Sequence, residues 1–526
     1  MTNIADEVEI AQALADAIGT GDLDAVEDLA DALWFRLPAT QAPALVRLVS
    51  TLSPAELERR PRLLLAAYQA HDMSTPGGDH ARRGFLPLYL SRGERFALRF
   101  SAFRERADVH AAGMIALIGA RLRGRCTEAE GIAHRLAQQL ARMPEAEPLP
   151  WSRHPDHRPG WLAAQRALTT MLLGRYDDAM VHARAAFEEM GPAPSHHFAG
   201  VNGAAIAALL SAAAGGRASA ERWLREVRDH TRGGLPVESP VTAPARLAAA
   251  VLAMDQLDEK RARASLRSLG DPFASNELWP FAAAGWARFG ALFGSPIAAL
   301  LQLDEVCAAH GAGSRIAEIA GGLLLRVRAD LLLAAGDGAA VLGIAVDHPD
   351  QDLLNVPLAR AHLRAGHLSE AVRLSSSPLQ RATTTRRDAL DHLLVLAAAQ
   401  LRRGDEHDAR ELFRRAHEYY LATRNRSAFR EMDPDDLARL CTLAGVHNPL
   451  PEGTGTAHAP LRVVRLTPRE QIVLRALATS ETLGMIAQRL NVSLNTVRSQ
   501  ARSVYRKLGV SSREDAVAVA ARARLL

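Results

Sequence analysis

The sequence predicts an all-α protein, a long array of helical hairpins followed by a small four-helix domain at the C-terminal end. Three observations carry this. Apolar residues make up 48% of the chain and aromatics only 5%, so burial rests on Ala and Leu, which favours helix packed on helix over stacked sheets. One local pattern, Gly then four residues then Ala, recurs within Leu/Ala-rich helical periodicity. Charge is also divided. Residues 461–526 hold twelve Arg/Lys against four Asp/Glu, a net +8, and because the whole chain totals +4 the first 460 residues carry −4. A mildly acidic body and a concentrated basic end are expected of two functionally distinct parts.

A chain of 526 residues exceeds one hydrophobic core. The pattern divides it into a helical-repeat region over 1–445, a flexible linker over 446–460 and a terminal domain over 461–526. In the body the repeat is found at Gly124/Ala129, Gly174/Ala179, Gly215/Ala220, Gly294/Ala299, Gly366/Ala371 and Gly404/Ala409, with a looser copy at Gly336/Val341. The wide gap between Gly215 and Gly294 leaves room for a degenerate copy near Leu257–Ala262. Each glycine is expected to end a helix in the left-handed conformation, where a Cβ is penalised. Each alanine is expected in the first turns of the next helix, where a small side chain lets the pair approach. A period near 40 residues means stacked helix pairs.

Before residue 110, Gly21–Ala25 reads as a shortened copy of the turn, and Leu52–Met73 as a helix pair interrupted near Arg60–Pro61. Met143–Pro159 is Pro/His-rich and reads as a loop. The tryptophans, Trp34, Trp151, Trp161, Trp223, Trp279 and Trp286, are expected in the core rather than on a ligand surface.

Several function classes are excluded by composition. Lysine occurs only at Lys260 and Lys507, after Glu259 and Arg506, so no Gly-Lys-Ser/Thr phosphate loop exists, and a phospho-receiver domain is equally unsupported. Cys126, Cys307 and Cys441 are too far apart in sequence for a disulfide framework or a zinc site. His154 with His157, and His196 with His197, lack further ligands at fixed spacing, so no metal is expected. No Ser/His/Asp order or paired-carboxylate motif stands out; the body reads as an interaction surface, neither an enzyme nor a cofactor protein. MTNIADEVEI lacks the basic start and apolar stretch of a secretory signal, and the weakly polar run Val201–Gly216 is too short to span a bilayer. A cytoplasmic protein with no membrane partner is expected.

Two copies of the repeat resemble the second half of a tetratricopeptide (TPR) repeat, LLGRYDDAMVHARAAFEEMGP (Leu172–Pro192) and LRRGDEHDARELFRRA (Leu401–Ala416). Gly174, Tyr176, Ala179 and Ala186 fall at that motif's offsets, as do Gly404, Ala409 and Ala416. The body is therefore expected to be a TPR-like solenoid.

Residues Val446 to Pro460, VHNPLPEGTGTAHAP, have no apolar period and read as the linker. Thr467-Pro468-Arg469-Glu470 then reads as a helix start, with Thr467 as cap, Pro468 at the first helical position and Glu470 completing a capping box. This helix is expected to run to about Thr479. Thr482 caps a second helix that places Met485, Ile486 and Leu490 inward, and Asn491 suits a left-handed turn. Ser493 caps the third helix, Leu494 to Leu508. At 100° per residue, Val497, Ala501, Val504 and Leu508 fall within about 60° of one another and form the buried stripe. Asn495, Arg498, Ser499, Arg502 and Arg506 occupy the opposite side, a basic face of the kind that enters a DNA groove. Thr496 and the N-terminal amides suit phosphate oxygens. Gly509 ends this helix, Ser512 caps a fourth, and Ala516, Val517 and Ala520 give that one its apolar face. Helix, turn, recognition helix and supporting helix make a helix-turn-helix domain.

The runs LTPRE (Leu466–Glu470), IAQRL (Ile486–Leu490), TVR (Thr496–Arg498) and YRKLGVSSREDAV (Tyr505–Val517) resemble the LuxR-type DNA-binding domain. That resemblance implies DNA contacts from Arg498, Ser499 and Arg502, and dimerisation on DNA through the last helix, Ser512–Arg522. The chain departs from the family pattern at Ser480, Leu483, Gly484, Met485 and Gln500. Large LuxR-family regulators carry an ATPase module, a TPR-like region and this tail, and VRLVSTLSPAELERRPRLLLAAY (Val46–Tyr68) resembles the start of their helical region. The ATPase module is not expected here, in keeping with the missing phosphate-loop lysine.

The expectation is a bacterial transcriptional regulator of the LuxR family, cytoplasmic and nucleoid-associated when bound to DNA. It would bind double-stranded operator DNA as a homodimer, with a protein or small-molecule effector at the helical body. Its DNA-binding residues would be Ser493, Asn495, Thr496, Arg498, Ser499, Arg502 and Arg506. The alternative is a helical-repeat scaffold for protein–protein interaction with a vestigial DNA-binding tail.

Overall fold

A computed structural model describes the chain except residues 1–3, 33–40, 75–84, 145–157, 191–197, 232–239, 271–276, 313–315, 317, 455–466, 480, 509–511 and 523–526. Every regular element among the described residues is helical, and no strand occurs among them. No helix among them is long and apolar enough to cross a membrane, and they contain no cluster of metal-ligating side chains. Two compact units form. One comprises Met1–Phe289, Leu303–Leu324 and Ala422–Asn425; the other comprises Gly290–Gln302, Leu325–Leu421 and Arg426–Leu526.

The first unit is built of helical hairpins, among them Arg106–Leu122 with Cys126–Ala141, Trp161–Leu172 with Tyr176–Glu189, Phe198–Ala213 with Arg217–Thr231 and Ala243–Asp255 with Glu259–Arg267. The turn glycines Gly124, Gly174 and Gly215 all take positive φ. The alanines five positions on, Ala129, Ala179 and Ala220, are fully buried. The degenerate copy is also present. Leu257 stands in the turn with φ +61°, and Ala262 is fully buried. A leucine there holds a conformation that L-residues avoid, so the hairpin imposes the turn and glycine merely accommodates it.

The shortened copy near the N-terminus needs correction. Gly21 has positive φ, but the buried residue is Val26 at the ordinary spacing, with Ala25 only partly covered. Ser53 caps Pro54–Arg59 with a full capping box, and Pro61–Ser74 follows, which is the interrupted pair expected between Leu52 and Met73.

One contact in this unit is closer than side chains allow. Gly174 lies against the Gly321 backbone, where a Cβ on either glycine would collide, and the Tyr176 hydroxyl donates to the Ala320 carbonyl at 2.6 Å. Trp161 and Trp223 are buried, Trp161 edge-on to Phe198 and Trp223 edge-on to Phe187. Trp279 and Trp286 are only partly buried, and Trp279 stacks on His310 at 4.3 Å, so the core expectation holds for two of the four described tryptophans. Trp34, Trp151, His154, His157, His196 and His197 lie outside the described residues, as does most of the loop expected at Met143–Pro159.

The device recurs in helices that lie wholly or mainly in the second unit, Leu323–Ala334 with Gly338–Asp347, Asn355–Arg364 with Leu368–Ser376, and Arg386–Arg403 with Glu406–Thr423. Gly336, Gly366 and Gly404 have positive φ, and Val341, Ala371 and Ala409 are buried. Gly294 breaks the rule, since it is not among the residues with positive φ. Its nitrogen continues helical bonding to the Gly290 carbonyl at 3.1 Å, and the next helix instead starts with Ser295 accepting from Ala298 and Pro296 in its first turn. The pair Arg386–Arg403 and Glu406–Thr423 closes on Phe429, Leu437 and Leu440, with Phe413 buried between.

Arginines cross-link these hairpins. Arg326, in Leu323–Ala334, pairs with Asp330 at 3.0 Å and Asp388 at 3.5 Å and donates to the Leu353 carbonyl at 3.0 Å; Arg360 pairs with Asp391 at 2.8 Å. The first unit has a counterpart, in which Arg62 bonds to Asp31 and Asp28 at 3.2 Å and Asp108 at 3.1 Å, while Arg158 also pairs with Asp31.

Candidate nucleic-acid interface

The terminal helices are Pro468–Leu477, Leu483–Arg489, Leu494–Leu508 and Arg513–Arg522, hereafter α1 to α4 in that order. Their starts follow from local chemistry. Thr467 caps α1, its hydroxyl accepting from the Glu470 amide at 3.3 Å while Glu470 Oε2 accepts from the Thr467 amide at 2.6 Å, with Pro468 in the first turn. The helix ends at Leu477, two residues before the expected Thr479. Thr482 caps α2 by accepting from Met485, and Asn491 takes the left-handed turn with φ +51°. Ser493 caps α3, accepting from the Thr496 amide at 3.1 Å and sharing a hydroxyl bond with Thr496 at 2.7 Å.

Packing fixes which face of each helix is left over. Val473, Ala476 and Leu477 of α1, Ile486 and Ala487 of α2, and Val497 and Ala501 of α3 form one core, bordered by Leu483, Leu490, Tyr505 and Val517. Val504, Ala516 and Ala520 are also fully buried. Burial pushes the Tyr505 phenol above its ordinary pKa. One residue was misplaced by the sequence reading. Met485 is 54% exposed, and Ala487 takes its place inside. Leu483, Ile486, Ala487 and Leu490 follow the i, i+3, i+4, i+7 stripe, and Met485 lies about 100° off Ile486.

With Val497, Ala501 and Val504 turned inward, Asn495, Thr496, Arg498, Ser499 and Arg502 are all exposed on α3, as is the cap Ser493. Among the described residues neither Arg498 nor Arg502 has a carboxylate within ion-pair distance; by contrast Arg489 of α2 pairs with Glu481 at 3.0 Å. The side chains of Arg506 and Leu508, and Gly509, lie outside the described residues.

Two supporting contacts escaped the sequence reading. Glu470 is buried, and its second oxygen accepts from Ser503 of α3 at 2.7 Å, so the carboxylate that caps α1 also holds α3. Arg513 of α4 donates to the Leu477 carbonyl at 2.9 Å and the Thr479 carbonyl at 2.6 Å, closing the C-terminal end of α1. Both pairs lie more than thirty residues apart, beyond any local spacing rule.

Comparison with known proteins agrees with this geometry. Residues 464–520 match the family described as bacterial regulatory proteins, luxR family. Two curated relatives, each described as a probable transcriptional regulatory protein NarL and coming from two strains of Mycobacterium tuberculosis, are 44% identical over 68 residues. The match covers 13% of this chain and 31% of each relative, so the chain spans about a third of the length of the curated relatives it matches. Capped helices, a left-handed turn after α2 and a solvent-facing α3 over this same stretch make the C-terminal end of the chain a DNA-binding helix-turn-helix domain of the LuxR family.

Proposed function

We propose that the chain is a transcriptional regulator that binds double-stranded operator DNA by inserting Leu494–Leu508 into the major groove. The observation that carries this reading is the division of one helix into a buried stripe, Val497, Ala501 and Val504, and an exposed face with two cations lacking carboxylate partners among the described residues, Arg498 and Arg502. Arg498, Ser499 and Arg502 take the base-reading role, and Ser493, Asn495, Thr496 and Arg506 position the helix on phosphates. The +8 charge of residues 461–526 supplies sequence-independent attraction, which weakens as salt rises.

The proposal has finer parts. Residues 1–445 form the sensing region, 446–460 the linker and 461–526 the DNA-binding part. The chain acts as a homodimer on DNA, and the helical body receives a protein or small-molecule signal, so it works by binding rather than by catalysis, in the cytoplasm and on the nucleoid.

The test is selection of bound duplexes from a random library by the full chain, followed by titration at several salt concentrations. One enriched motif, with half-sites about one helical turn apart and a steep salt dependence, is expected. Absence of salt-dependent DNA binding overturns the reading.

A further inference from the structure

At the border between the buried stripe and the exposed face of α3, about 20° around the helix from Ala501, stands a residue that charge alone does not reveal. Leu494, its first residue, is 38% exposed, an apolar side chain set between the capping Ser493 and the polar Asn495 and Thr496. On a helix, residues four apart share a row, and Leu494, Arg498 and Arg502 form one such row at successive steps of about 40°. The domain's own core is served by Val497, Ala501 and Val504, so the core leaves Leu494 partly in solvent. Four residues of helix advance about 6 Å, against about 3.4 Å per base step. A helix that presents Arg498 to a base edge therefore brings Leu494 within about two base steps of it.

An alkyl group in the major groove has one apolar feature to meet, the 5-methyl of thymine. We propose that Leu494 is a specificity-determining residue that reads a thymine methyl beside the base pair read by Arg498. It rests on the DNA-binding reading given above. The contact adds selection for an A·T pair at the end of the recognition row, and it does so without a hydrogen bond.

The test uses the full chain and its selected duplex. Each thymine is replaced in turn by deoxyuridine, which removes only the methyl group. A loss of roughly fourfold, the weight of one methyl, is expected at a single thymine. That thymine lies within about two steps of the position whose preference relaxes in Arg498→Ala. Leu494→Ala abolishes the uracil sensitivity while helix content by circular dichroism stays unchanged, and Leu494→Met retains it. Uracil tolerated everywhere, or sensitivity that survives in Leu494→Ala, overturns the inference and leaves the DNA-binding reading standing. A wild-type chain that selects no duplex overturns both.

Discussion

Compared across the two regions of this molecule, particular arginines do opposite work. In the helical body Arg326, Arg360 and Arg62 sit among carboxylates; Arg326 touches Asp330 and Asp388, and Arg360 touches Asp391. Their charge is spent on structure. In the terminal domain Arg498 and Arg502 face solvent, with no carboxylate partner among the described residues. An outward-facing cation whose charge is uncompensated keeps its field for a polyanion, whereas a buried one is worth having only while its partner is present. Arginine content alone is thus a poor guide to nucleic-acid binding.

The contrast can be broken at its strongest point. Asp391→Ala strips Arg360 of its buried partner and is expected to destabilise the body by about 3–5 kcal/mol, read as a fall in urea midpoint at an unchanged slope. Loss below 1 kcal/mol would mean that the body's arginines are as dispensable as surface ones.

Arg502→Ala should leave stability untouched and lower affinity for the selected site more than for random duplex, by about 1–3 kcal/mol. Equal loss on both duplexes moves Arg502 to the phosphate-contacting class. Glu470→Ala sits between the regions' two behaviours, because it removes a capping carboxylate and the Ser503 bond together. A destabilisation of about 1–2 kcal/mol is expected, visible as a lower urea midpoint of the terminal transition. Ser503→Ala should show only the smaller part of it, and the same loss in both variants would reassign the cap's contribution to α3.

The body also carries an effect of pH. Burial holds the His392 imidazole at a pKa of about 4, below its ordinary 6.5, so the native state keeps it neutral. The unfolded chain takes up that proton first as pH falls through 6.5. Stability is therefore full above about 6.5 and is lost progressively toward 4. His392→Leu should flatten that stretch of the stability curve, and an unchanged slope would show that other groups dominate it.

How much of this was legible depends on range. The caps Thr467, Thr482 and Ser493 and the left-handed Asn491 were readable because each bond closes within three or four residues. The buried stripe of α3 was readable because its period repeats. Met485 was misread because α2 is only seven residues long, and two turns give the periodicity little to average over. The arginine cross-links were not readable at all. Arg360 and Asp391 are separated by 31 residues, about one hairpin, and nothing in either local sequence marks the other. Glu470 and Ser503 were hidden for the same reason.

The turn at Leu257 has a consequence for how such a chain can change over time. In this copy the residue at the bend is leucine, while the small buried residue five places on is alanine, as in most other copies. The copies at Gly21 and Gly336 show that valine also fits that buried place, at Val26 and Val341. A lineage can therefore rewrite its bends, at about 1–2 kcal/mol each, and keep the stack intact. Bulk at the inner position would force neighbouring helices apart. Divergent copies of this hairpin are better traced by their inner small residues than by their glycines.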